Sequence, residues 1–519
     1  MAKKTERMLT KAAVVTWPVF LTSAVGILSV ALWAIIDPTS ASVALGAAVT
    51  WIANWFGSFY IVLAAGIVVF VLYLGLSKYG HTRLGTPDSR PEFSNFSWAA
   101  MLFAAGIGTD ILFFSVAEPV AQYMHPPLGP GQTVEAARSA LVWTLFHYGI
   151  TGWGMYSLMG IALGYFAYRE GKPLAVRYAL ASLLGTRTTG LWGHVVDSAA
   201  IIGTIFGVAT TMGIGVVQLS VGLQILFGTR PGLPVQIALV AVSVLMTVVS
   251  ATTGVDKGIQ ILSRLNVYLA LFLAGWIFVF GKPDFLMRAT VMDLGNFIST
   301  YPERSLETFA YTDASAWMSS WTLFFWAWWV AWASFVGMFL ARISRGRTFR
   351  EFIVGALIIP FTYVLIWISI FGNSAIARIR SGDHHFAKVV EATPEKGFYL
   401  LLQNFPLPLM LVAIATIVGL LFYVTSADSG ALVMANLCID LPDTSADARA
   451  PLRIFWVVIT GVLTIGMLLV GGIPALQSAT IIMGLPFSFV LIFVGVGLMR
   501  ALRQNRPYIV DIAAKRPRK

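Results

Sequence analysis

The sequence predicts an all-α polytopic membrane protein with about twelve transmembrane helices. Three observations carry that expectation. Of 519 residues, 57% are hydrophobic and only 11% are charged, too few charges to cover a soluble protein of this size. Apolar runs of roughly 20 residues, each long enough to cross a hydrocarbon core of about 30 Å, recur along the whole chain. Lysine and arginine collect in every second connection between these runs.

The runs fall near 14–36, 51–77, 97–120, 136–168, 190–227, 234–253, 259–281, 315–342, 349–372, 398–427, 453–474 and 479–500. Several exceed the minimum and must tilt, bend or project from the bilayer. The N-terminal MAKKTERMLTKAAVV is basic and leads straight into the first run, with no small-residue cleavage site at the right distance. It reads as a cytoplasmic tail and first helix rather than a signal peptide. Lys3, Lys4, Arg7 and Lys11 lie there. The same side is expected to carry Lys78, Arg83 and Arg90, then Arg169, Lys172, Arg177 and Arg187, then Lys257 and Arg264, then Arg342, Arg345, Arg347 and Arg350, and finally the tail with Lys515, Arg516, Arg518 and Lys519. Opposite connections are mixed or acidic, with Asp284, Asp293, Glu303, Glu307 and Asp313. The positive-inside rule therefore places both termini in the cytoplasm of a multi-pass protein of the bacterial inner membrane, surrounded by its lipids. One connection, 428–453, runs against the rule, with Asp440, Asp443 and Asp447 beside only Arg449 and Arg453. The net charge of +11 is spread over these loops and reports topology, not nucleic-acid binding.

Some chemistries are excluded early. A single cysteine, Cys438, allows neither an internal disulfide nor a cysteine-based metal cluster, and no metal or cofactor site is expected. His384 and His385 lack a third ligand and read as solvated. The sequence holds no HExxH, P-loop or GxSxG motif, so no enzyme is expected. The run RISRGRTFR, Arg342 to Arg350, reads as a cytoplasmic anchor and a candidate gating element.

Four spans hold residues that do not belong in plain lipid-facing helices. The third, MLFAAGIGTDILFFSVAEP, places Gly106 and Gly108 in mid-membrane, where glycine weakens a helix and admits close backbone approach. Asp110 follows. An ionised carboxylate there costs roughly 2.5–3.5 kcal/mol, so it must pair, protonate or face a cavity. The eighth, WTLFFWAWWVAWASFVGMFLARISRGRTFREF, repeats Trp321, Phe325, Trp328, Trp332, Phe335 and Phe339 at steps of three and four, one aromatic stripe with Trp329 beside it. Tryptophan normally gathers at membrane interfaces, and these extend through several turns. Such a stripe packs a core or, where rings from several helices meet, holds a quaternary ammonium by cation–π attraction worth roughly 2 kcal/mol once desolvated. The fourth, WTLFHYGITGWGMYSLMG, offers Tyr148, Trp153 and Tyr156 within a helical arc of roughly 140°, and Gly149, Gly152 and Gly154 leave room beside them. His147 adjoins them as a packing residue or a proton relay. In the tenth, Thr425 and Ser426 offer the hard oxygens that suit Na⁺, although such hydroxyls commonly bond their own helix.

These segments are recognisable. WTLFFWAWWVAWASFVGMFLARISRGRT closely resembles the signature of the betaine/choline/carnitine transporter family. FAAGIGTD, LFHYGITGW, GTIFGVATTMGIGVVQL, GVDKGIQ and FYVTSADSG extend the resemblance over nearly the whole chain, and IGTD followed by LFF, AEPVAQYMHPP and VWTLFHYG look closest to its proton-coupled bacterial choline transporters. The resemblance implies a homotrimer of twelve-helix subunits with a LeuT-like core of two inverted five-helix repeats. It divides the chain into a tail (1–13), two leading helices (14–96), a first repeat (97–281), a periplasmic loop or helix (282–314), a second repeat (315–500) and a short tail (501–519). Relatives that sense osmotic stress carry longer tails, so weak osmotic activation is expected. The family's aromatic box falls on Tyr148, Trp153, Tyr156 and Trp329, with Trp328, Trp332 and Phe324 along the cytoplasmic half of the path. Thr425 and Ser426 match a Na⁺-site pair, whereas Asp110 stands where Na⁺-coupled members have glycine. The chain departs from the family at Tyr148, a tryptophan in betaine carriers, and at Trp332-Ala333-Ser334-Phe335 in place of Trp-Ser-Pro-Phe.

The expectation is choline uptake driven by protons through Asp110. Na⁺-coupled glycine-betaine symport and exchange of carnitine-like solutes remain the alternatives. An aromatic path suits a channel poorly, because a pore needs a polar lining.

Overall fold

The computed structural model describes residues 14–105, 108–253, 256–441 and 446–504. They fold into a helical membrane protein: α1 Trp17–Ile36, α2 Pro38–Leu76, α3 Asn95–Ala105, α4 Thr109–Met124, α5 Val134–Tyr148, α6 Ile150–Gly164, α7 Leu191–Phe227, α8 Leu233–Thr253, α9 Asp256–Phe280, α10 Pro283–Arg304, α11 Ser315–Ser320, α12 Thr322–Ile343, α13 Phe349–Arg380, α14 His384–Ala392, α15 Gly397–Leu402, α16 Pro408–Leu437, α17 Ala450–Val470 and α18 Ile473–Gln504. Two-residue strands, Val14–Val15 and Ile439–Asp440, pair antiparallel and tie the start of the described chain to the end of α16. Among the described residues nine helices are long and apolar enough to cross a membrane, or ten if Arg264–Phe280 and Pro283–Arg304, bent by 115°, form one broken span.

The difference from the expected spans has local causes. The third and fourth expected spans are each two shorter helices, α3 with α4 and α5 with α6, the second pair parted at Gly149. The eighth is interrupted at Trp321, whose φ of −120° and ψ of −85° leave the helical region, so this first ring of the stripe lies outside α12. α2 starts at Pro38, well before residue 51, because Asp37 caps it by accepting from the Ser40 N–H at 3.0 Å while Pro38 occupies the first turn. At 39 residues it is about 58 Å long and must tilt or project. The polar stretch 282–313 is mostly α10, which buries Leu286, Ala289, Asp293 and Phe297 at helical spacing. α16 runs on to Leu437 and α18 to Gln504, each beyond its expected end. Gly106, part of the third-span motif, lies outside the described residues.

α12 lies against α6, α7, α18 and α2. At one membrane face the arginine run does structural work. Arg347, nearly fully buried, donates to Asn95 Oδ1 at 2.9 Å and to the Phe93 carbonyl at 3.0 Å, and its guanidinium lies 4.0 Å from the Trp98 ring centroid. Arg350 donates to the Gly75 carbonyl at 2.9 Å, and a Thr348–Glu351 capping box starts α13. This one loop thereby joins the ends of α2, α3, α12 and α13. The acidic connection that broke the charge pattern is partly neutralised: Arg342 pairs with Asp447 at 2.8 Å and Arg453 with Asp428 at 2.9 Å. His384 and His385 are exposed, as expected.

Hydrogen bonds from a buried cation contribute roughly 1.5–3 kcal/mol each. Arg347→Ala should therefore lower the thermal unfolding midpoint of the detergent-solubilised protein by several degrees. Arg347→Lys, which keeps the charge and loses the fork, should fall between. An unchanged midpoint for both would show that the loop is not a clamp.

Candidate functional site

The break at Gly149 builds the site. A helix end leaves carbonyls without intrahelical partners, and inside a membrane they need another donor. The His147 carbonyl finds one in the Trp329 indole N–H of α12, at 2.7 Å. That bond draws Trp329 into the junction of α5 and α6. Gly152 makes room: a Cβ placed there would lie 2.8 Å from Trp329 Cδ1 and 3.0 Å from Nε1. The helical arc drawn through Tyr148, Trp153 and Tyr156 assumed one continuous helix, whereas Tyr148 ends α5 and the other two rings rise from the start of α6.

The rings meet in series. Tyr148 and Trp329 have centroids 5.5 Å apart at 73°, Trp329 and Tyr156 6.1 Å at 81°, and Tyr156 and Trp153 5.5 Å at 87°. Successive near-perpendicular faces form the walls of a box rather than a stack. The Tyr148 hydroxyl donates to Asp110 Oδ2 in a long bond of 3.4 Å. Asp110 lies in the first turn of α4, where the helix dipole favours negative charge, and is buried. Thr109 pins this turn to α16 by donating to the Gly419 carbonyl at 3.2 Å. The four rings and Asp110 keep 5–8% exposure, whereas Phe324, Phe325 and Trp328 beside them keep none.

The other expected residues lie around this centre. Trp328 stacks on Trp329 at 5.1 Å and 7°, and Phe324 stacks on Trp328 at 5.0 Å, so both back Trp329 and are themselves fully buried. Trp332, one turn farther along α12, is half-buried against Phe335 at 5.2 Å. The stripe continues outward to the exposed Phe339. The Thr425 hydroxyl donates to its own helix, at the Leu421 and Phe422 carbonyls, and Ser426 is half-buried next to it.

Residues 18–507 match the profile of the betaine/carnitine/choline family transporters. The chain belongs to that family. The transporter is 54% identical to the high-affinity choline transport protein of Escherichia coli (strain K12), over 93% of this chain and 72% of that protein. It is 52% identical to the osmo-dependent choline transporter BetT2 of Acinetobacter baylyi (93% and 71%) and 40% identical to a glycine betaine transporter of the same organism (87% and 68%).

The sequence reading of this transporter missed Glu118. It lies within AEPV, two turns after Asp110, and is fully buried. His147 Nδ1 lies 2.5 Å from Glu118 Oε1 and Nε2 lies 3.0 Å from Thr322 Oγ1, while the imidazole stacks on Phe325 at 4.9 Å. His147 is thus a fully engaged core residue whose backbone also holds Trp329. The signal was weaker than at Asp110, because Glu118 falls two residues from the end of the expected span 97–120, where an acid costs less than at the centre.

Gly152→Ala tests the geometry, since the new methyl cannot coexist with Trp329 in place. The intrinsic tryptophan emission should shift as Trp329 leaves the junction, with the folded fraction in size exclusion unchanged. An emission spectrum identical to the wild type would mean that Trp329 does not occupy the space beside Gly152.

Proposed function

We propose that this protein imports choline across the bacterial inner membrane by alternating access, driven by the proton gradient. The observation that carries the reading is the run of four near-perpendicular rings beside a buried acid. A quaternary ammonium has no N–H to donate, so electron-rich ring faces are its natural partners. Two relatives named as choline transporters, each above 50% identity, support the same cargo. The architecture goes with it: twelve spans, two leading helices followed by inverted repeats at 97–281 and 315–500, a periplasmic segment at 282–314, cytoplasmic termini and a homotrimer. Breaks in the first elements of both repeats, before Thr109 and at Trp321, support that arrangement.

Charge favours choline over a zwitterion. Glycine betaine and carnitine bring a carboxylate that needs a cationic partner, and the charged group at this box is Asp110. Among the described residues the cation–π pairs of lysine and arginine fall on Tyr79, Trp143, Tyr168, Trp98 and Phe386, none of them a box ring. Choline also gains about 2.3 kcal/mol per 100 mV of inside-negative potential, and a co-transported proton gains a similar amount. Asp110 takes the proton from outside and releases it inside, its proton affinity changing with the charge that the box holds.

Radiolabelled choline uptake into proteoliposomes, with pH, Na⁺ and voltage gradients imposed separately, tests the reading. Uptake by the wild type should rise with an acidic exterior and be indifferent to Na⁺. Asp110→Asn should bind choline and lose the response to the pH gradient; a retained response would remove Asp110 from coupling, and strict Na⁺ dependence would favour the betaine-type alternative. Trp329→Leu should weaken choline binding by roughly 30-fold, the equivalent of about 2 kcal/mol. Unaltered binding would take Trp329 out of the box.

A further inference from the structure

Away from the box, a groove of about 710 Å³ runs along the outer surface between α2, from Phe59 to Phe70, and α18, from Leu491 to Gln504, floored by Leu158 of α6. Its depth comes from missing side chains. A Cβ on Gly66 would meet nothing within 4 Å, and one on Gly495 would only touch Phe70 and Leu158 at 3.7–3.9 Å. The lining is apolar except at one end, where Arg500, Arg503 and Gln504 are all exposed. Among the described residues neither arginine makes a salt bridge.

The dimensions identify the occupant. Leu491 to Arg500 spans about 14 Å at 1.5 Å per residue, close to half of the ~30 Å hydrocarbon core. The apolar part thus matches the depth of one leaflet, which would bring the guanidinium groups to headgroup level. Arginine's planar fork matches phosphate oxygens in two-point fashion.

We propose that the α2–α18 groove is a binding site for one anionic phospholipid, with an acyl chain over Gly66 and Gly495 and the phosphate on Arg500 and Arg503. Occupancy fills the seam between α2 and α18, and α18 packs directly on α12, which bears Trp329. The site is independent of which cation the box carries.

The test is native mass spectrometry of the full-length, delipidated protein titrated with phosphatidylglycerol or phosphatidylethanolamine. The wild type should take up one phosphatidylglycerol with at least tenfold preference. Arg500→Gln/Arg503→Gln should abolish the preference, and Gly66→Trp, which fills open space facing lipid, should abolish the bound lipid itself. Choline quenching at the wild-type level in each variant shows that the fold is intact, and Gly495→Leu serves as a second blocking variant. Equal uptake of both lipids by the wild type would overturn the proposal. So would phosphatidylglycerol binding undiminished in the arginine and blocked variants, or a blocked variant that changes its subunit number while keeping its lipid, which would make the groove a contact between copies.

Discussion

A backbone carbonyl without a helical partner is expensive inside a membrane, and the end of α5 leaves one at His147. The 2.7 Å bond from the Trp329 indole satisfies it, and most of the site follows from that bond. It fixes Trp329 across the α5–α6 junction, sets its face against Tyr148 and Tyr156, and requires the gap that Gly152 leaves. The His147 ring stands on the other side of the same backbone, engaged by Glu118 and Thr322. A helix break that would be a defect in an ordinary span is here the point where three helices are locked together. Trp328 and Phe324, with no exposed surface, fill the space behind the wall and keep Trp329 from rotating away.

The residue types were legible in the sequence and their connections were not. Tyr148, Trp153, Tyr156, Trp329 and Asp110 could be singled out because rings and acids at mid-membrane need a reason to be there. The break between Tyr148 and Trp153 was not visible, since a helical wheel imposes continuity and Gly149 is one glycine among several in that segment. Position 321 gave less warning still: a tryptophan carries no breaker signal, and its backbone departs from the helix in the folded context alone. α10 was masked by composition. Its polar outer face lowered the hydropathy of 282–313, although the buried positions of Leu286, Ala289, Asp293 and Phe297 keep the spacing of a packed helix.

Charge patterning teaches a related lesson. The acids of 428–453 counted against a cytoplasmic assignment when taken one by one. In the fold, Asp447 is bound by Arg342 and by the Asn436 amide, each at 2.8 Å, and Asp428 by Arg453. These acids complete arginines on neighbouring elements. The arginine run after α12 behaves likewise: Arg342, Arg347 and Arg350 each reach a different element, so a sequence cluster of like charges is dispersed in space. Linear charge counts lose this information, because the partners of Arg342, Arg347 and Arg350 lie 105, 252 and 275 residues away.

The box is asymmetric in its attachments, and that asymmetry bears on how such a site can open. Trp153 and Tyr156 belong to the same helix, so their contact survives any rigid movement of α6. Trp329 of α12 meets Tyr156 of α6 and Tyr148 of α5 across helix boundaries, so the same movement relative to α12 separates it from Tyr156 and leaves its contact with Tyr148. Closely packed rings rearrange between discrete fits rather than deforming smoothly. Under the proposed alternating access, loosening of the box would start at the Trp329–Tyr156 contact, while the hydrogen bond to His147 holds Trp329 to α5. Asp110 is held by a different pair of elements, through Thr109 to α16 and through Tyr148 to α5. A shift of α5 therefore alters the acid's partner and the box wall in a single motion. Tyr148 touches both Trp329 and Asp110, so under the proposed function it would link the ring that faces the cation to the group that carries the proton.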